Sequence, residues 1–224
     1  MPNGWGDFFA EYSGLLTSGT LDTLAMLFVS TGIAYVFGIV LGVVLYLTSP
    51  IGLKPHRIFN AVLGWIVNMA RSIPFIILLV ALMPATRALV HTTTGVVGVT
   101  PPLVASATPF VARMIEQSLA EVPRDTLESV VSFGASMPRI VLGALLPEAL
   151  PSIVRGVSIT LISVLGYTAI AGAVGAGGLG DIAIRYGYYR YEDEVMIVTV
   201  VLLVVLVQVI QRVCDLIANH IDHR

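Results

Sequence analysis

Residues 171–180 read AGAVGAGGLG, and the class of fold depends on how they are read. Within them, Gly175-Ala-Gly177-Gly-Leu-Gly180 has the spacing G-x-G-x-x-G, the fingerprint of a dinucleotide-binding turn. That fingerprint has meaning only after a buried strand and before a helix, inside a soluble βαβ unit. The alternative is mechanical: small residues let backbones approach closely and let the chain turn at a membrane surface. What surrounds the stretch decides between them.

The surroundings are those of a membrane protein. The chain has 224 residues, 56% hydrophobic and 12% charged, about half the ~25% charge of a soluble domain. Its mean hydropathy is +0.90. The net charge of −2 carries no nucleic-acid signal. A single cysteine, Cys214, excludes an internal disulfide and a cysteine metal cluster. The first basic residue is Lys54, so no basic n-region precedes the first apolar stretch, which is expected to stay as a membrane helix.

At about 20 apolar residues per crossing, five spans are expected: 22–47, 58–84, 95–115, 152–172 and 195–213. The second is interrupted at ARSIP, and its first part is expected to lie partly in the interface before Pro74 starts the crossing. Pro101, Pro102 and Pro109 fall inside the third, where neighbouring helices can satisfy the freed carbonyls. The whole reads as one all-α domain, 1–224, without internal repeats. An apolar helix, not a strand, precedes AGAVGAGGLG, so the dinucleotide reading fails. The chain's one lysine is followed by Pro55, so there is no P-loop either.

Residues 116–151 are the largest polar insertion. Glu121, Arg124, Asp125 and Glu128 recur every three or four residues and are expected on one helical face, with Leu127, Val130 and Val131 on the other. Pro123 suits a helix start, Gly134 a break, and a second short helix is expected from Ser136 with Pro138 near its start. Five spans place Lys54, Arg57, Arg113, Arg124, Arg139, Arg155, Arg212 and Arg224 on one side, and Arg87, Arg185 and Arg190 on the other, with Arg71 ambiguous. The basic side is the cytoplasm by the positive-inside rule. The N-terminus is then outside, the C-terminus inside, and 116–151 cytoplasmic.

The insertion also carries a gapped pattern. ESVVSFGASMPRIVLGALLPEALP, 128–151, resembles the signature of ATP-binding-cassette importer permeases: E-A-A, three residues, G, nine residues, I-x-L-P. Glu128, Gly134 and Leu146-Pro147 match; Ser129, Val130 and Ala144 depart from it with small or apolar residues. ARSIPFIILLVALMP (70–84), ATPFVARMIEQSLAEVPR (107–124) and the run 145–189 ending in GYTAIAGAVGAGGLGDIAIRYGYY resemble the methionine-importer permease family from about residue 20 onward. The resemblance implies a polytopic, type I importer permease fold. It implies two copies of this chain forming a pore, two ATPase subunits docked on the cytoplasmic insertion, and a periplasmic or lipid-anchored methionine-binding protein outside. ATP would be held by the partner, with no cofactor on this chain and no enzymatic activity of its own. A permease for another small solute is the runner-up. G-L-G-D at 178–181 also resembles the element of intramembrane aspartyl proteases, a reading weakened because the only second Asp nearby is Asp22 at a helix start.

Three sets of residues follow. For ATPase coupling, the resemblance points to Glu128, Gly134, Arg139 and Pro147, with Glu128 bracing the coupling helices. Polar groups at membrane depth usually face a cavity or the bundle, so Asn68, Ser72, Thr160, Ser163 and Tyr167 are candidates to line a translocation pathway; Arg71 and Thr168 share that depth, and Arg71 is expected to snorkel or pair. Thr160, Ser163 and Tyr167 form one stripe at helical spacing. In DIAIRYGYYRYEDE, Arg185, Tyr188, Tyr189 and Arg190 are candidates for an aromatic interface belt or for docking of the binding protein.

Overall fold

The computed structural model describes residues 5–221, with side chains described from Phe8 onward; Arg224 lies outside the described residues. All regular structure among them is helical. In order the helices are α1 (Trp5–Thr48), α2 (Arg57–Ser72), α3 (Phe75–Val90), α4 (Gly95–Ala120), α5 (Arg124–Ser132), α6 (Met137–Ile140), α7 (Leu146–Gly172), α8 (Gly178–Ile182) and α9 (Asp193–Ile221). Wide π-helical turns at Val141–Leu145 and Ala183–Tyr188 extend α6 into α7 and α8 toward α9.

Among the described residues, four helical segments are long and apolar enough to cross a membrane: Phe8–Thr48, Gly95–Ala120, Met137–Gly172 and Asp193–Ile221. Counting the pair α2 and α3 as one broken span gives five. That pair bends by 102° at Ile73-Pro74, where the proline ring disfavours helical backbone in the residue before it. The interruption expected at ARSIP is therefore a sharp bend. Helix α3 runs through Pro84 to Val90, past the expected end of the span. Helix α1 starts seventeen residues before the expected position, at Trp5 rather than 22, because a hydropathy window finds only the most apolar part of a longer helix.

The 146–172 helix likewise begins early, and the second short helix expected from Ser136 does not stand alone. Ser136 caps α6 with extended backbone and Pro138 sits in its first turn. The chain then continues without a break through 141–145 into α7. The π turn has a physical reason. Pro147 cannot donate to the carbonyl four residues back, and its ring would clash there. Widening the preceding turn, with the Leu146 N–H reaching back to the Val141 carbonyl, relieves both.

The chain divides into two compact units: Met1–Ile33, Ile73–Ser106 and Leu161–Ile210 in one, Ala34–Ser72, Ala107–Thr160 and Gln211–Arg224 in the other. In lipid, helix association rests on close packing and small residues, because lipid tails are as apolar as leucine. Large apolar side chains such as Phe28, Val36, Phe37, Val201 and Val205 accordingly remain exposed. In the first unit Phe8, Leu16, Leu179, Ile182 and Val195 form a buried cluster with Tyr12 and Tyr186 against it. In the second, Leu45, Val67 and Ala112 cluster with Leu41 and Leu63. There Gly42 brings α1 against α4: a Cβ at Gly42 would lie 2.6 Å from the Ala112 carbonyl oxygen. Arg113, a charge within a span, donates from Nη2 to the Gly64 carbonyl at 2.8 Å and from Nη1 to Glu116 at 2.6 Å. The Asn60 amide donates to the Leu45 carbonyl at 2.8 Å, tying the start of α2 back to α1.

Candidate functional site

The glycine-rich stretch is a packing element. Helix α7 ends at Gly172, a turn follows, and Gly177 holds φ 78° and ψ −163°, a conformation open essentially to glycine alone. Helix α8 then folds back on α7. A Cβ at Gly180 would lie 2.6 Å from Ala169 Cα, and one at Gly172 would lie 2.9 Å from Gly180 Cα. The same turn closes on α1. The Thr23 hydroxyl accepts from the Leu179 N–H at 2.9 Å and donates to the Gly19 carbonyl at 2.9 Å. Leu179 is the second residue of α8, whose N–H a capping side chain would normally satisfy. Gly177 has no side chain, so Thr23 supplies that acceptor from another helix. Thr23→Val keeps the shape and strands a buried N–H, which costs about 1–3 kcal/mol. The expected result is a lower thermal midpoint in detergent, restored by Thr23→Ser; an unchanged midpoint for Thr23→Val would refute the capping role. Asp181, the acid of the G-L-G-D element, is ion-paired with Arg185 at 3.0 Å.

Beyond this turn lies the aromatic segment. The π turn at 183–188 buries Gly187 against Met196, where a Cβ would meet Met196 Cβ at 2.8 Å, and turns the following residues outward. Tyr188, Tyr189 and Arg190 are exposed, as is Arg185. The Tyr188 and Tyr189 rings lie 5.4 Å apart. The Arg190 guanidinium sits 4.5 Å from the centroid of Tyr186, whose ring meets Tyr12 edge-on. Tyr191 is 84% exposed and holds φ 58°, a strained conformation for a bulky residue. The four tyrosines mark the segment in the sequence; the strain at Tyr191 leaves no sequence signal.

The insertion is built as two short helices around one glycine. Pro123 precedes α5 with φ −58° and ψ 135°, and Gly134 follows it with φ 72°. The Gly134 N–H reaches the Val131 carbonyl at 2.9 Å, half of a glycine-terminated helix cap. Nothing lies within 4 Å of a Cβ built on Gly134, so its need for glycine comes from backbone conformation. Glu128, Gly134, Arg139 and Pro147 are all exposed, whereas Leu127, Ile140 and Leu145 are buried. Two expectations change. Glu121 does not share the α5 face, because α4 ends at Ala120 and α5 begins only at Arg124. Val131, expected on the inward apolar face, is exposed. Beside it Phe133 is 90% exposed. An aromatic residue directly before the helix-breaking Gly134 is the signal that would have found it.

The pathway candidates fall in both units. In one, Asn68 and Ser72 are exposed on the last turns of α2, and the Ser72 hydroxyl donates to the Asn68 carbonyl at 2.9 Å. Arg71 is exposed there, 5.7 Å from the Phe110 ring centroid. Thr160, expected on an open stripe, is instead fully covered: it donates to the Gly156 carbonyl at 2.9 Å, and its oxygen lies 3.2 Å from the Tyr35 hydroxyl. In the other unit Ser163 and Tyr167 are half-buried, and Tyr167 stacks on Phe75 with ring centroids 4.8 Å apart. Thr168 is buried and donates to the Leu165 carbonyl at 2.8 Å. No group of three or more metal-ligating side chains occurs among the described residues.

Helices long and apolar enough to cross a membrane, with large apolar side chains exposed along them, define an integral membrane protein of the multi-pass helical class. The family described as the binding-protein-dependent transport system inner membrane component matches residues 34–224, and the chain belongs to that family. It is 46% identical over 222 residues, 99% of each chain, to the probable D-methionine transport system permease protein MetI of Vibrio cholerae. It is 41% identical to the methionine import system permease protein MetP of Bacillus subtilis, over 80% of this chain and 81% of that one. A chain from an inward-facing structure of the MetNI methionine ABC transporter superposes with a TM-score of 0.93 at 45% identity, covering 95% of this chain and 98% of that one. An amino acid ABC transporter chain at 18% identity and TM-score 0.79 shares the fold.

Proposed function

We propose that this chain is the membrane-spanning permease of an ATP-driven importer that carries methionine into the cytoplasm. The observation that carries the reading is the end-to-end similarity to methionine permeases, 46% identity over 99% of both chains for the Vibrio cholerae protein. The exposed residues Glu128, Gly134, Arg139 and Pro147 in segment 128–147 fit the mechanism. Two copies of the chain, each acting as one permease domain over residues 1–224, form the pathway. Two ATPase subunits bind and hydrolyse ATP below them, and a methionine-binding protein delivers substrate from outside. The N-terminus faces out and the C-terminus faces the cytoplasm.

In this reading Glu128, Gly134, Arg139 and Pro147 present the coupling surface to the ATPase. Closure of the ATPase dimer on ATP moves that surface, and the permease switches between inward-open and outward-open arrangements because the ligand favours one of them. Asn68, Ser72, Ser163 and Tyr167 line the pathway, and Thr160 braces it from behind through Tyr35. Arg185, Tyr188, Tyr189 and Arg190 receive the binding protein.

Uptake of labelled L-methionine at submicromolar concentration, in cells with and without the gene, tests the reading. Deletion is expected to abolish uptake, with D-methionine and methionine-like compounds competing and other amino acids failing to. Unchanged uptake would overturn the substrate.

A further inference from the structure

The insertion leaves the membrane helices at Glu121 and rejoins them in the first turns of α7. The two ends are tied to each other. The Ser152 hydroxyl lies 2.7 Å from Glu121 Oε2 and 3.1 Å from the Ser118 oxygen. A hydroxyl has one proton. It serves the shorter contact, to the carboxylate, and the Ser118 oxygen completes the group. Ser118 is buried and Ser152 half-buried, and the three line a small recess with Glu148 and Arg155. Glu121 is free for this contact because Pro123 has ended the helical path before α5.

We infer that Glu121 and Ser152 form a clasp that makes the last turn of α4 and the first turns of α7 move as one body when the insertion moves. The inference rests on the permease reading above. Without a polar tie at their ends, α4 and α7 could follow the helical segment 122–151 separately, and its displacement would be lost at its root. Joined by a charge-assisted bond from Ser152 to the exposed Glu121 carboxylate, with buried Ser118 behind it, they share one displacement. Neither residue touches substrate or nucleotide in this account; both are positioning residues for coupling.

The test is made on the complete transporter in proteoliposomes, with the ATPase and binding protein present, by measuring methionine taken up and ATP hydrolysed in the same sample. Ser152→Ala is expected to assemble at the wild-type level and hydrolyse ATP, while transporting about tenfold less methionine per ATP; a tenfold change corresponds to about 1.4 kcal/mol. Ser152→Thr, which keeps the hydroxyl, is expected to restore the ratio. Glu121→Gln keeps an acceptor without the charge and is expected to fall between. Wild-type stoichiometry in Ser152→Ala overturns the clasp. So does an equal fall in uptake and hydrolysis that Ser152→Thr does not rescue. Absence of methionine uptake by the wild-type complex would instead overturn the substrate reading, and the ratio would then be read with the solute that is transported.

Discussion

Phe133→Asp is expected to reach the membrane at wild-type abundance and lose ATP-driven methionine uptake. The side chain is 90% exposed, so its replacement removes almost no packing within the chain. It stands at the end of α5, next to Gly134 at φ 72°, and exposed Val131 is close to it in sequence. Such an aromatic is the kind of residue that anchors an interface, where truncation of a hot spot costs about 2 kcal/mol or more, roughly thirtyfold in binding. A carboxylate there would also have to be desolvated in any apolar groove. The measurement pairs membrane abundance and co-purification of the ATPase with uptake. Full uptake by Phe133→Asp would refute an anchoring role for Phe133 at the proposed ATPase contact. Loss of abundance would show a role within this chain. Gly134 acts beside it through backbone conformation, because any other residue would be strained at that φ.

Gly180→Val is expected to prevent accumulation of folded protein. A Cβ there would stand 2.6 Å from Ala169 Cα, and backbone cannot yield as the tip of a side chain can. Overpacking of this kind costs about 3 kcal/mol, and the damage spreads, since α8 also closes on α1 through Thr23. Abundance in membranes and the thermal midpoint in detergent are the readouts. Wild-type values for both would mean that α7 and α8 are free to separate. Ala at Gly134, where space is open, is expected to be far milder, so the two glycine replacements separate close approach from backbone conformation.

Much of this was legible in the chain, for identifiable reasons. Apolar length gave the helical class, and proline and glycine gave the breaks at Pro74, Pro123 and Gly134, because these residues restrict backbone locally whatever surrounds them. The glycine-rich stretch could be stripped of nucleotide chemistry by its context alone. What could not be read depended on partners distant in sequence. Helical spacing placed Glu121 with Arg124 and Glu128; its partner is Ser152, 31 residues on. The same spacing put Thr160 on a stripe with Ser163 and Tyr167, but periodicity does not say which neighbour covers a stripe, and Tyr35 lies against Thr160. The π turn at 141–145 answers a proline that lies beyond it, so only the folded helix displays it.

Helix α1 has a mechanical consequence. Its 44 residues contain no proline and span about 66 Å at about 1.5 Å per residue, roughly twice the ~30 Å hydrocarbon layer. Its early residues Phe8 and Tyr12 pack in the cluster that supports Tyr186 and Val195. A force applied at the tyrosine turn therefore meets the side of a continuous helix. A load placed on the Tyr186 turn reaches the first turns of α1 through side-chain packing, without any loop having to relay it.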